Sequence, residues 1–317
     1  MVVAKKVGSG MRVWATLAIL SATAVSGATW YVTVAGLGGD PLFDQRFVTL
    51  ALEMDKLVRT TPDAKVTTLT GPESVKVRVR EALAEAAKNG KAEDTLVVTL
   101  IGHGNFDGQD YKVNIPGADM TAAELAEWMD RVPAQKQAVI NTTSCSGASI
   151  DMLRRDNRVI VSATKAATER LATQFARFWV EAMRNPEADT DKNEIVSVLE
   201  AYRFADKKTV GFYETQKRLA TEHAMLEDTG KGSGVRAPGP DNGHGLLAGQ
   251  TPLVRFGSLQ QAAKTPEKQA LLKRREEVEL KVEKLKYEKA AISVADYRKQ
   301  LGALLLELAK VQEELDR

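Results

Sequence analysis

Two short apolar runs, each ending in glycine and small residues, constrain this chain most. The first, Leu96-Val97-Val98-Thr99-Leu100-Ile101, stops at Gly102-His103-Gly104. The second, Ala138-Val139-Ile140, leads into Asn141-Thr142-Thr143-Ser144-Cys145-Ser146-Gly147. Brief, rich in β-branched residues and without alternation, both read as buried parallel strands. In an open α/β sheet, chemistry lies just beyond the carboxyl ends of the strands. One of only three histidines and the single cysteine fall there. A thiol and an imidazole on neighbouring loops are the parts of a Cys–His nucleophilic site. Singly, each has a plainer reading: a small buried hydrophobe for Cys145, a hydrogen-bonded structural residue for His103. Their shared position, after a strand and beside glycine, favours chemistry.

The surrounding segments fit such a sheet. Trp30 to Ala35 reads as a first strand, followed by the turn Gly36-Leu37-Gly38-Gly39 and a helix from about Leu42 to Arg59. That glycine turn matches neither dinucleotide nor phosphate-loop spacing, so no phosphate site is expected. Val66 to Leu69 is a second strand and Ser74 to Lys88 an amphipathic helix. Met120 to Met129 is a helix with Thr121 as N-cap and Glu124 completing a capping box. It bridges the two catalytic strands as a βαβ unit. Phe175 to Arg184 is a further helix, with Phe175, Phe178 and Trp179 as core.

Strand-His-Gly followed by strand-small-Cys-x-Gly resembles the caspase-like fold of cysteine peptidases, and within it the legumain-like peptidases and their bacterial relatives. His103 and Cys145 stand 42 residues apart, close to the legumain spacing. The stretch Arg158 to Glu169 resembles the legumain strand and loop that border the substrate pocket, and the likeness runs from about Tyr31 to His223. The resemblance implies a three-layer α/β/α sandwich with a mostly parallel sheet. It implies Cys145 as nucleophile, His103 as general acid/base, and Arg46, Ser162 and Thr164 at a substrate pocket. Glycine after the histidine lets its N–H approach a developing oxyanion, so the Gly104 and Cys145 N–H groups are the expected oxyanion hole. No cofactor is required. Two departures stand out. Leu37 and Gly38 occupy the turn where legumains carry an asparagine that orients the histidine. The legumain Glu-Ala-Cys is here Thr143-Ser144-Cys145.

At 317 residues the chain has room for one sizeable α/β domain and an added element. Its net charge of +2, without basic runs interleaved with aromatics, makes nucleic acid an unexpected partner. The lone cysteine excludes an intrachain disulfide and any cysteine-based zinc site. Lys5, Lys6 and Arg12 precede an apolar run from Val13 to Val25 and then Ser26-Gly27-Ala28, the order of a signal peptide over residues 1–28. An uncleaved membrane anchor over residues 13–28 is the alternative. A periplasmic or extracellular peptidase domain would then span 29–225.

Asp189, Asp191, Asn193, Ser197 and Glu200 place oxygens at positions 1, 3, 5, 9 and 12 of a loop with Ile195 at 7, the spacing of a calcium-binding EF-hand. Glu194 stands at position 6, where the tight turn calls for glycine; the alternative is a polar turn capping the next helix. His223 reads as structural and His244 as solvated. Residues 226–257 are a glycine- and proline-rich mobile loop with room for a last short strand. From 258 to 317 the chain turns to Lys, Glu, Leu and Ala, with Leu271, Val278, Leu285 and Ile292 every seventh residue. Val294, Tyr297, Leu301, Leu304, Leu308, Val311 and Leu315 follow a 3-4 repeat. This predicts an antiparallel, coiled-coil-like helical hairpin, separable from the domain, with Ser293 and Asp296 capping its second helix. The leading expectation is an exported cysteine endopeptidase acting on polypeptides. The alternative is a catalytically inactive peptidase-like scaffold that binds a protein partner, or a second copy of itself, through the hairpin.

Overall fold

The computed structural model describes residues 27–256 and 265–316. The proposed signal sequence lies outside the described residues except for Gly27 and Ala28. The core is a six-stranded sheet built from β1 (Thr29–Ala35), β2 (Ala64–Leu69), β3 (Thr95–Ile101), β7 (Lys136–Asn141), β8 (Arg158–Ser162) and β10 (Met225–Glu227). Its order is β10-β8-β7-β3-β1-β2, parallel throughout except for β10. A small antiparallel sheet of β4 (Gly104–Phe106), β5 (Tyr111–Val113) and β6 (Met120–Thr121) grows from the end of β3.

Both faces of the sheet are covered, which is why its strands read as unbroken apolar runs. On one face lie α1 (Pro41–Val58), α5 (Phe175–Ala182) and α6 (Val198–Thr215); on the other lie α2 (Lys76–Asn89), α3 (Ala122–Asp130) and α4 (Ile150–Leu153). Along β3, Val97 and Ile101 join the first layer while Leu96, Val98 and Leu100 join the second. This is the expected α/β/α sandwich. The capping box of α3 is present, with Glu124 N–H donating to Thr121 Oγ1.

The segment after β10 is not a mobile linker. The buried Asp228 carboxylate accepts the N–H groups of Gly245 and Ala248, and the Tyr202 hydroxyl donates to the Arg236 carbonyl. These bonds draw α7 (Leu246–Gly249) and β11 (Pro252–Arg255) onto the domain, where β11 pairs with β9 (Ile195–Ser197). His244 is likewise mostly buried rather than solvated, with Nδ1 3.6 Å from Asp228.

The C-terminal helices, α8 (Pro266–Glu288) and α9 (Val294–Asp316), form the expected pair, and Asp296 N–H donates to Ser293 Oγ. Val278, Leu285, Val311 and Leu315 are buried. The pair is also docked. Leu272 packs in one cluster with Ile195, the Arg275 guanidinium donates to the Asn193 carbonyl, and the Tyr287 hydroxyl donates to the His244 carbonyl. A groove of about 570 Å³ remains between α8 and the strand ends at Thr29, Thr95 and Lys136. Those are amino ends, so the helical pair sits at the opposite edge of the sheet from His103 and Cys145.

Candidate active site

His103 lies two residues beyond β3. Its ring packs against Phe43 and Phe47 of α1, both edge-on with centroids 5.2 Å away. The Gly38 backbone lies beside the imidazole and favours its protonated form. Gly38 is itself held, since its N–H donates to Asp44 Oδ1 at 2.6 Å. A Cβ at residue 38 would fall 2.3 Å from the Asp44 nitrogen, so the turn requires glycine. Asp44, in the first turn of α1, thus fixes the Gly38 backbone beside the imidazole. Burial lowers the imidazole pKa and the Gly38 backbone opposes the shift. The ring is therefore neutral near pH 7 and competent to accept a proton.

Gly104 joins the two halves of the site. Its N–H donates to Ser144 Oγ and its carbonyl accepts from the same hydroxyl, both at 3.1 Å. A Cβ on Gly104 would meet the Tyr111 hydroxyl at 2.5 Å and the Ser144 carbonyl at 2.7 Å, so only glycine permits the approach. His103 and Cys145 are each one residue from this contact. Among the described residues neither side chain is the other's hydrogen-bond partner. Catalytic hydrogen bonds are often long before substrate binds.

Cys145 has a left-handed backbone, with φ 57° and ψ 8°, and is 2% exposed. Burial pushes its thiol pKa up, opposed by Arg170, so the resting sulfur is protonated. A buried polar network supports the turn. Asn141 Oδ1 accepts from the Tyr111 hydroxyl at 3.2 Å and from the Thr143 hydroxyl at 2.8 Å, and Asn141 Nδ2 donates to Ser149 Oγ at 3.0 Å.

Two site expectations need correction. The Gly104 and Cys145 N–H groups do not form an open oxyanion hole. The first is bonded to Ser144 Oγ and the second donates to the Glu169 carbonyl at 2.8 Å. Nor do Ser162 and Thr164 line a pocket. Both are fully buried, Ser162 Oγ donates to the Thr164 carbonyl, and Thr164 Oγ1 accepts from Gly147 N–H. They brace the cysteine turn instead. Arg46 does reach the site's rim, where its guanidinium donates to the Thr173 carbonyl at 2.9 Å and to Gln174 Oε1 at 3.3 Å.

Residues that no sequence motif announces hold the loop above Cys145. The Glu169 carboxylate accepts the N–H groups of Lys165 and His223 and pairs with the His223 ring. His223 is structural, as expected, and what it supports is this site.

At the other end of the molecule the acidic loop closes up. Carboxylate oxygens of Asp189, Asp191 and Glu200 lie within 4.8 Å of one another. Glu194 has φ 63°, so position 6 does adopt the left-handed geometry despite its side chain. The capping alternative is realised too, because Glu200 Oε2 accepts from Ser197 N–H and Oγ while Glu200 N–H donates to Ser197 Oγ. Asn193 Oδ1 accepts Ile195 N–H, and Ile195 itself pairs with Arg255 in the β9–β11 ladder. Although the Asp191 side chain reaches solvent, desolvation and the charges of Glu200 and Asp189 push its carboxyl up to about 6. Glu279 of α8, desolvated and facing Asp191, rises to about 7.

No family model and no curated protein sequence matches the chain. Solved structures that align with it include caspase-1 of Spodoptera frugiperda, at 12% identity and a TM-score of 0.45, over 64% of this chain and 87% of that one. The Drosophila initiator caspase Dronc aligns at 11% identity and 0.41, over 72% of this chain and 93% of that one. A protein of Geobacter sulfurreducens aligns at 12% identity and 0.39, over 58% and 89%. These are distant likenesses of architecture; the chemistry rests on the site's own geometry.

The acidic loop yields a signed pH dependence. A carboxyl whose folded pKa lies above its ordinary 3.8 holds its proton longer folded than unfolded. Asp191 therefore makes stability fall as pH rises from about 3.8 through about 6. In chelator, Asp191→Asn should flatten that slope and raise the melting temperature at pH 7.5, by about a degree because the exposed side chain is screened by solvent. Thermal unfolding checks it; an unchanged or lower melting temperature contradicts it.

Proposed function

We propose that the chain is an exported cysteine peptidase of caspase-like architecture, acting on polypeptides, with Cys145 as nucleophile and His103 as proton carrier. One observation supports this reading: the Gly104–Ser144 clasp joins the two loops that carry His103 and Cys145 at the carboxyl ends of adjacent strands. In the reaction His103 takes the thiol proton, the thiolate attacks the scissile carbonyl, and the imidazolium returns the proton to the leaving amine. Export is supported by the basic, apolar and small-residue order of residues 5–28. A protonated, buried thiol and occupied N–H donors favour a second reading, an inactive scaffold. Exposed Val294, Leu305 and Leu306 on α9 support a partner or self-association surface under either reading. A calcium ion held by Asp189, Asp191 and Glu200 is a further part of the proposal, supported by their convergence and the raised carboxyl of Asp191.

A peptidyl chloromethyl ketone together with cleavage of a peptide library tests the reading. We expect adduct formation at Cys145, no cleavage by Cys145→Ala, and a loss of about 10²–10⁴-fold in His103→Ala. An adduct that is indifferent to His103, with no cleavage, would establish the scaffold. Calcium at about 100 times its Kd should add about 2.7 kcal/mol of stability, absent in Asp191→Asn; no shift in the wild type removes calcium.

A further inference from the structure

We propose that residues 163–174 form a strap that closes the Cys145 site, and that the contact between Glu169 and His223 is its catch. As a means of regulation this rests on the peptidase reading, but the opening itself is a property of the fold. The strap leaves β8 at Ala163 and ends at Gln174, before α5. Its ends are tied to the cysteine turn, since Thr164 N–H donates to Ser146 Oγ and the Thr173 hydroxyl donates to the Thr142 carbonyl. At its middle, the Glu169 carbonyl takes the Cys145 N–H at 2.8 Å. A peptide substrate needs that N–H for its own carbonyl oxygen. Glu169 thus occupies a substrate's place, and the thiol beneath is 2% exposed. One outward movement would free the donor and uncover the sulfur together.

The catch is local and polar. β8 and β10 pair with Met225 opposite Ser162, so the strap and the segment carrying His223 leave the sheet side by side. There the Glu169 carboxylate takes the His223 N–H at 3.1 Å, the His223 ring, and the Lys165 N–H at 2.8 Å. Little apolar surface adds to this. Lys165, Thr168 and Arg170 are exposed, and Leu171 is 60% exposed. A segment held by hydrogen bonds, with few buried apolar contacts, opens at a lower free energy than the core. The physical role of Gly147 agrees: a Cβ there would meet the Lys165 carbonyl carbon at 2.3 Å, so only glycine lets the strap lie down.

Alkylation of native protein by iodoacetamide, followed by mass spectrometry, reads the opening without requiring catalysis. Wild type should react slowly, at a rate flat in urea below the unfolding transition. Glu169→Ala and His223→Ala should each react about tenfold faster or more, since a lost hydrogen bond to a charged group shifts an opening equilibrium by that order. Gly147→Ala, which wedges the strap from beneath, should also react faster, while Leu171→Ala should match wild type. The proposal is overturned if the three strap variants, folded by circular dichroism, react at the wild-type rate. It is equally overturned if wild-type alkylation rises with urea in step with global unfolding. Faster alkylation without peptide cleavage would remove the peptidase reading and leave the strap standing; cleavage with unchanged alkylation would do the reverse.

Discussion

The approach of Gly104 to Ser144 is the contact on which the site depends. Parallel pairing of β3 with β7, with Leu100 opposite Asn141, brings two strand ends to the same edge of the sheet. The loops beyond them could still diverge. A single hydroxyl, accepting from one glycine's N–H and donating to its carbonyl, holds them together. Any side chain at position 104 would strike Tyr111, Ser144 and Thr143. Thr143 and Ser144 therefore have a physical role. Ser144 clasps the histidine loop, and Thr143 joins Asn141 and Tyr111 in the buried network beneath.

Beneath the strap, Cys145 is in a conformation that few side chains adopt readily. A left-handed non-glycine residue costs of order 1 kcal/mol and persists where its surroundings over-determine it. Here they do, because its N–H is bonded to Glu169 and its carbonyl accepts from Ala148 N–H. Burial raises the thiol pKa and keeps it protonated, and it lowers that of His103, which is neutral. The resting pair is thiol and imidazole rather than thiolate and imidazolium. Such a pair resists the oxidation to which an open, low-pKa thiol is prone.

The sheet is legible in the sequence because its physics is local. Apolar runs at Leu96 and Ala138, the capping pairs at Thr121 and Ser293, and the amphipathic stretch at Ser74 all appear where expected. The site's support is not legible, for reasons of chain separation. Glu169 meets His223 across 54 positions and Gly104 meets Ser144 across 40. The backbone of Gly38 carries no side chain to announce it. Ser162 and Thr164, placed at a pocket by the resemblance alone, instead turn inward, Ser162 donating to the Thr164 carbonyl and Thr164 accepting from Gly147 N–H in the cysteine turn. The glycine- and proline-rich stretch from 226 to 249 reads as mobile by composition. It is fixed by one buried carboxylate, Asp228, whose oxygens accept from N–H groups 17 and 20 positions away. Glu194 is the reverse case: its residue type argues against a left-handed backbone, and the loop adopts one nonetheless.

A crystal structure of the Cys145 adduct with a peptidyl aldehyde tests the central claim most directly. The thiohemiacetal oxygen should have taken the Cys145 N–H from Glu169, with the strap displaced. An adduct formed with the Glu169–Cys145 hydrogen bond intact would contradict it.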